Sequence, residues 1–184
     1  MLIQSENFSE EQMAYLQKIN EAAIRLSRLN TALLTLTKIE NQQYTQEEKI
    51  NLASFLRKKI DDLEEFIQQK NIKVSLQADE DVYINMNASL ADLLFGNLIR
   101  NSMKHNIDGG FISISVQQHR FSISNSGKPL DVPAEELFER FVKNDPSSES
   151  LGLGLAMVKQ ICNNYHFNIS FISKNNVYTI EISF

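Results

Sequence analysis

The stretch ASLADLLFGNLIRNSMKHN, residues 88–106, decides the fold, because its apolar residues recur at the spacing of an α-helix. Within it, Asn97 and Asn101 are four residues apart and therefore lie on one face. Lys104 and His105 continue that face, which at about 100° per residue is also the face of the leucines. These polar side chains therefore extend the core-facing stripe of the helix instead of opposing it.

We call the four side chains Asn97, Asn101, Lys104 and His105 the polar stripe. A buried polar group without a partner costs about 1–3 kcal/mol, so inward-facing polar side chains need partners. Neighbouring backbone can satisfy one amide, but a bound polar ligand explains the group of four better. An amide oxygen can ligate Mg²⁺, a lysine can meet phosphate, and an imidazole can lie flat on a nucleobase.

Two glycine motifs follow the helix. The first, NSGKPL at residues 125–130, comes directly after a predicted strand, where Gly127 gives the backbone freedom to approach a ligand. The second, GLGL at residues 152–155, opens a predicted helix, and the free N–H groups of a helix start form a general anion site. It is neither a Walker A loop nor a Rossmann fingerprint. Taken alone, each motif is also consistent with a plain turn or helix start.

The chain beyond the first 50 residues alternates between helical and strand periodicity. Helices are predicted at 51–69, 88–106 and 153–165, and strands at 72–77, 81–86, 111–118, 120–125, 168–173 and 177–184. The first two strands are joined by a short acidic turn, and the next two make a hairpin. This order predicts an α+β fold, a two-layer α/β sandwich with a largely antiparallel sheet and helices on one face.

A long helix is predicted at residues 10–41. Ser9 and Gln12 have the spacing of a capping box, and Phe8 and Met13 that of a hydrophobic staple. Apolar residues then fall into heptads, with Ile19, Leu26 and Leu33 at one position and Ala22, Leu29 and Leu36 at the other. The heptads indicate either the seam of a coiled coil or four-helix bundle, or an amphipathic helix lying on its own domain.

The composition limits the class of protein. Of 184 residues, 42% are hydrophobic and 22% charged, which is typical of a folded domain. The net charge of -5 argues against broad nucleic-acid binding. One cysteine excludes an internal disulfide, and with three histidines it makes a structural zinc site unexpected. No apolar run approaches the roughly 18 residues of a membrane span, so we expect a cytoplasmic chain without membrane contact.

Taken in order, these motifs resemble those of the ATP-binding catalytic domain of sensor histidine kinases, within the GHKL superfamily and its Bergerat fold. NLIRNSMKHN is similar to the N box, SNSGKPL to the G1 box, LFERF (137–141) to the F box and GLGLAMVKQIC to the G2 box. The resemblance covers residues 48–184. The upstream RLSRLNTALLTLTKIEN resembles the second helix of the dimerisation and phosphotransfer hairpin, which favours the coiled-coil interpretation. The implied domains are a partial hairpin helix at 1–45 and a catalytic domain at 46–184.

The resemblance implies a role for each matched residue in binding ATP with Mg²⁺. Asn101 would ligate the metal with Asn97 beside it, and Lys104 would contact phosphate. His105, where the family often has Tyr, would lie against adenine, and Asn125 takes the place of an adenine-reading Asp. The other implied contacts are Gly127 near the base, and Arg140, Lys143, Gly152, Leu153 and Gly154 near the phosphates, with residues 131–151 as a mobile lid.

The implied activity is transfer of the γ-phosphoryl group of ATP to a histidine, and from there to the receiver domain of a response regulator, in a homodimeric parent protein. His105, His119 and His166 all lack the context of a phosphoacceptor. We therefore expect the acceptor to lie upstream of this chain, in a parent anchored to the membrane by other segments. Autophosphorylation of the chain itself is not expected.

Three departures from the family pattern affect the expected chemistry. Asn125 replaces a charged Asp and Pro129 replaces a second glycine, and both changes predict weaker ATP binding. Asn97 stands where hydrolytic GHKL ATPases have a water-activating Glu, so rapid hydrolysis is not expected. Two alternatives remain open: a serine kinase or ATPase on the same fold, and a nucleotide-binding pseudokinase that signals by dimerisation.

Overall fold

The computed structural model describes residues 9–144 and 150–184. The chain divides into two compact units, Met1–Thr37 and Lys38–Phe184. In chain order the elements are α1 (Glu10–Glu40), β1 (Glu48–Asn51), α2 (Leu52–Asp61), α3 (Glu64–Gln69), β2 (Lys73–Ala78), β3 (Tyr83–Met86), α4 (Ala88–Lys104), β4 (Phe111–Gln117), β5 (Arg120–Ser126), a 3₁₀ helix (Ala134–Phe138), α5 (Gly154–Asn164), β6 (Asn168–Lys174) and β7 (Val177–Ser183).

Helix α1 begins at the predicted cap. The Ser9 backbone N–H donates to Gln12 Oε1 at 3.0 Å, and the Gln12 N–H donates to Ser9 Oγ at 3.2 Å. This reciprocal pair confirms the capping box. Phe8, the predicted partner of Met13 in a staple, lies outside the described residues. The heptad residues Ile19 and Leu26 are exposed, and their packing against a second helix stays a prediction.

A five-stranded sheet forms one layer of the second unit, in the order β2-β4-β5-β7-β6. All its pairs are antiparallel except β2 with β4. Side chains alternate between the faces of a strand, so Ile112, Ile114 and Val116 of β4 are buried while Ser113 on the same strand is exposed. Helices α4 and α5 pack against each other, and α4 packs on β5. This confirms the α+β sandwich with a long N-terminal helix.

The pairing of β3 differs from the expected arrangement. It pairs antiparallel with β1 in a separate two-stranded sheet, whereas β2 pairs in parallel with β4. The sequence pattern did not indicate β1, because its four residues EKIN contain a single buried side chain, Ile50. The predicted helix at 51–69 is likewise two helices, interrupted at Leu63, whose φ of -115° and ψ of 8° are not helical.

Helix α4 is capped at its start and packed against other elements at its middle. The Asn87 side chain caps it by accepting from the backbone N–H groups of Ser89 and Leu90, at 2.9 and 3.2 Å. The buried ring of Phe95 meets Phe55 and Phe121 edge-on, at centroid distances of 5.9 and 5.0 Å.

Among the helices of the described ranges, none combines the length and apolar character that crossing a lipid bilayer requires.

Candidate functional site

Asn97 and Asn101 project from α4 toward the first residue of α5. A side-chain carbon built at Gly154 would lie 3.1 Å from Asn97 Oδ1 and 3.8 Å from Asn101 Nδ2. Asn97 Nδ2 donates to the Leu93 carbonyl at 2.7 Å, which fixes the amide and turns its oxygen toward Gly154. The structure therefore brings two amides and a glycine at a helix start to one place.

The other half of the polar stripe lies at the C-terminal end of α4. Lys104 is exposed in the last turn, and His105 is the half-buried residue that ends the helix, with its backbone N–H donating to Asn101 O at 3.0 Å. The His105 carbonyl oxygen lies 3.1 Å from the place that a side-chain carbon at Gly127 would occupy. The end of α4 therefore meets the segment 125–129, which we call the 125–129 turn.

The 125–129 turn leaves the end of β5 and is fixed by hydrogen bonds. Asn125 is 7% exposed, and its Nδ2 donates to the Ser126 carbonyl at 2.8 Å. Because that bond uses the amide nitrogen, Oδ1 of Asn125 remains to accept from a ligand. The Gly127 N–H donates to Asn176 O at 2.9 Å, in the turn between β6 and β7. A side chain at Gly127 would overlap the ring of Tyr178, so packing within the protein by itself requires glycine there.

A buried network ties the end of α4 to the same turn. The Ser126 hydroxyl donates to Asn106 Oδ1 at 2.7 Å and accepts from the Phe111 N–H at 2.9 Å. Asn106 Nδ2 donates to the Phe111 carbonyl at 2.9 Å. Asn106 and Ser126 are 7% and 8% exposed, and a side chain at Gly110 would overlap both. The network therefore sets the position of α4 relative to β5.

The glycine motif at the start of α5 packs against the end of the segment 137–141, whose sequence resembles the F box. Gly152 has a φ of +68°, which favours glycine, and a side chain there would lie 2.7 Å from both Phe141 C and Val142 O. The Phe141 N–H donates to Gly152 O at 2.8 Å. The Leu153 side chain is buried, so the backbone of this residue is the part that can face a ligand.

The candidate cations lie in different surroundings. Arg140 makes an ion pair with Glu40, and its neighbour Glu139 pairs with Lys159 of α5 at 2.9 Å. Lys143 is half-buried. Within the predicted lid, the Asp131 N–H donates to Asn144 Oδ1 at 2.7 Å, whereas residues 145–149 lie outside the described part of the chain.

Tyr178, under the 125–129 turn, and Cys162, in α5, both have raised pKa values. Burial raises the pKa of the Tyr178 phenol, so the hydroxyl, which is protonated at neutral pH in any tyrosine, remains a donor to a higher pH. Burial also raises the pKa of the Cys162 thiol, on the core side of α5, to about 12.

Across residues 9–144 and 150–184, no cluster of three His, Cys, Asp or Glu side chains is arranged to hold a metal. Within the polar stripe, Asn97 and Asn101 carry amide oxygens, a type of ligand that suits Mg²⁺.

Sequence reasoning missed Tyr178 and Asn106 as parts of this site. Asn106 follows His105 directly, so its place next to the polar stripe was a usable signal. Tyr178 carried none, because its position under the 125–129 turn depends on the pairing of β5 with β7.

Comparisons with known proteins identify the family of this chain. The family described as "Histidine kinase-, DNA gyrase B-, and HSP90-like ATPase" matches residues 86–184. The heme sensor protein HssS of Staphylococcus aureus strain Newman is 33% identical over 171 residues, which cover 90% of this chain and 37% of HssS. The chain thus spans little more than a third of the length of the curated relatives it matches.

Solved structures of histidine kinases share the fold. Acinetobacter baumannii AdeS superimposes with a TM-score of 0.70 at 20% identity, covering 97% of this chain and 86% of AdeS. Histidine kinase ThkA, solved in complex with response regulator protein TrrA, gives a TM-score of 0.68 at 23% identity, covering all of this chain and 55% of ThkA. The family match and the site geometry together lead to one conclusion: this chain belongs to the histidine kinase-, DNA gyrase B- and HSP90-like ATPases, as an ATP-binding catalytic domain of the sensor histidine kinase type.

Proposed function

We propose that this chain binds ATP with Mg²⁺ and presents the γ-phosphoryl group to a histidine on a separate helix, from which the group passes to a response regulator. The observation that carries the proposal is the meeting of Asn97, Asn101 and Gly154 at one place. The amides of Asn97 and Asn101 face the start of α5, where Gly154 has no side chain, and we propose that a metal–phosphate group binds beside them.

The residues present suit that group. Mg²⁺ prefers oxygen ligands, and we propose Asn101 Oδ1 as one of them, with Asn97 beside it. When bound, Mg²⁺ neutralises the charge of the phosphates and orients them. The backbone N–H groups of residues 152–154, at the start of α5, would face the phosphates together with Lys104 and Lys143. Arg140 would join them only after leaving its ion pair with Glu40.

At the C-terminal end of α4, beyond Asn101, the 125–129 turn is proposed to hold the base. Asn125 Oδ1 would accept from the exocyclic amine of adenine, and the His105 ring would lie against the base. The nitrogen of Asn125 already donates to the Ser126 carbonyl, so the amide presents its oxygen to the ligand. An uncharged acceptor makes a weaker hydrogen bond than a carboxylate, so we expect modest affinity for ATP.

In the proposed reaction, the chain supplies position and charge. The bond between the γ-phosphorus and the β,γ-bridging oxygen breaks, a bond from an imidazole nitrogen to that phosphorus forms, ADP leaves and the imidazole proton passes to solvent. We further propose that the acceptor histidine and a membrane anchor belong to other segments of a dimeric parent. The helix at 1–45 would be part of the dimerisation hairpin and residues 46–184 the catalytic domain.

Calorimetric titration of the chain with MgATP tests the binding step. We expect saturable heat, and the absence of binding at millimolar nucleotide would overturn the proposal. Labelled ATP then tests the transfer step, with and without a polypeptide that carries an acceptor hairpin helix. An acid-labile phosphohistidine should form on that polypeptide and not on this chain. Binding without transfer would favour the pseudokinase alternative, and rapid hydrolysis of ATP would favour the ATPase.

A further inference from the structure

Tyr178 lies under the 125–129 turn and contacts it in two ways. Its ring fills the space that a side chain at Gly127 would need. Its hydroxyl donates a hydrogen bond to the carbonyl of Lys128, which is 50 residues away in the sequence. Tyr178 also stands directly opposite Asn125 in the β5–β7 ladder. One side chain therefore touches the middle of the turn while its backbone holds the residue that begins the turn.

The Tyr178 side chain is itself held firmly. It is 7% exposed, and its ring stacks on Phe171 with 6.0 Å between centroids and 18° between planes. A ring fixed by stacking has few other rotamers, so the hydroxyl reaches the Lys128 carbonyl with little further loss of conformational entropy. Tyr178 thus acts as a rigid support under a segment that leaves the sheet.

The turn has reason to need such a support. Pro129 has no backbone N–H and a fixed φ, so the segment after Lys128 cannot be held by a donor at that position. Asn125 also binds its ligand without a charge, so its contribution depends on accurate placement of one oxygen. A hydrogen bond and a packed ring from β7 supply that placement.

We propose that Tyr178 is a positioning residue of the nucleotide site, which holds the 125–129 turn so that Asn125 and the end of α4 keep the spacing that the base needs. The inference rests on the function proposed above. Tyr178 acts through the turn, since its hydroxyl is already bonded to the Lys128 carbonyl.

The test compares Tyr178→Phe with Tyr165→Phe. Both changes keep the aromatic ring and remove one hydroxyl that is hydrogen-bonded to backbone. The Tyr165 hydroxyl accepts from the Asn87 N–H at 2.9 Å. Asn87 lies at the N-terminal end of α4, opposite the end that meets the 125–129 turn. Loss of one such bond should weaken ATP binding by Tyr178→Phe about three- to tenfold, while Tyr165→Phe should bind as the unchanged chain does. Calorimetry with MgATP gives the affinities, and thermal unfolding gives the stability of each variant.

Amide hydrogen exchange without nucleotide supplies a second readout. In Tyr178→Phe the Gly127 and Lys128 amides should exchange faster, with the amides of α4 unchanged. Equal nucleotide affinity for Tyr178→Phe and the unchanged chain, or equal weakening in both variants, would overturn the inference and leave the proposed function intact. If the unchanged chain binds no nucleotide, the proposed function fails and the inference fails with it.

Discussion

The two ends of the polar stripe on α4 are constructed differently. At the end facing α5, Asn97 and Asn101 are set by the helical repeat alone and meet a glycine, Gly154. At the C-terminal end, His105 and Asn106 meet groups delivered by β5 and β7. Both ends include contacts between residues far apart in the sequence. They differ in burial: Asn97 and Asn101 are half-buried, at what we call the open end, whereas Asn106 and Ser126 are buried, at what we call the closed end. Residues that face a ligand can therefore follow the regular spacing of one helix, while the residues that hold them in position come from distant parts of the chain.

Replacement of Asn101 should have the largest effect on the open end. Asn101→Ala removes the proposed oxygen ligand of Mg²⁺, and since loss of an outer-shell partner already costs about 10–100-fold, we expect MgATP affinity to fall about 100-fold. Asn163→Ala, on an exposed position of α5, is the matched control. Calorimetry with and without EDTA measures both. Unchanged MgATP affinity in Asn101→Ala would show that Mg²⁺ does not bind at this end of the polar stripe.

Replacement of Ser126 tests the closed end through stability. Ser126→Ala leaves Asn106 Oδ1 and the Phe111 N–H short of one partner in a buried place, so we expect a loss of about 1–3 kcal/mol in the free energy of unfolding. Urea denaturation measures it, with Ser113→Ala, exposed on β4, as the control. Equal stability of the two variants would mean that the network does not hold α4 to β5.

Replacement of Gly154 separates binding from stability. Gly154→Ala places a better helix former at the first residue of α5, so helix stability should rise, by less than the about 0.5–1 kcal/mol expected in a helix interior. Its new carbon would lie 3.1 Å from Asn97 Oδ1, so we expect MgATP affinity to fall about tenfold. Gly96→Ala is the control, because the atoms nearest to its new carbon belong to the flexible end of the Arg100 side chain. Undiminished affinity in Gly154→Ala would show that the space beside Asn97 is not used by the ligand.

The smallest effect is expected from Glu40. Glu40→Gln releases Arg140 from its ion pair, and exposed ion pairs contribute about 1 kcal/mol or less, so ATP affinity should rise by about fivefold or less. Glu139→Gln, which releases Lys159 instead, is the control. A fall in affinity on Glu40→Gln would exclude Arg140 as a phosphate contact held back by this ion pair.

Sequence periodicity predicted the elements that carry regular patterns. The capping box of α1, the helix bearing the polar stripe and the β4–β5 and β6–β7 hairpins were predicted within a few residues. The pattern failed for β1, whose four residues are mostly polar, and for the parallel pairing of β2 with β4. Both depend on which distant strands meet, and side-chain alternation does not encode that.

The same limit applied within the site. Helical spacing identified Asn97 and Asn101, because residues four apart share a face. From the sequence, Gly127 was explained only as a residue that lets the backbone approach a ligand. In the structure, the ring of Tyr178 occupies the space that a side chain at Gly127 would need. Arg140 was expected near phosphate, and its partner is the carboxylate of Glu40. In each case the contact joins residues 50 or more positions apart.

The strand order has a consequence for synthesis of the chain on the ribosome. In the centre of the sheet, β5 lies between β4 and β7, and β7 is the last strand of this chain to be made. The β4–β5 hairpin therefore emerges with one edge unpaired until translation reaches Val177–Ser183. Unpaired edges recruit other strands, so release of a chain that stops before β7 would favour aggregation over a partly working domain.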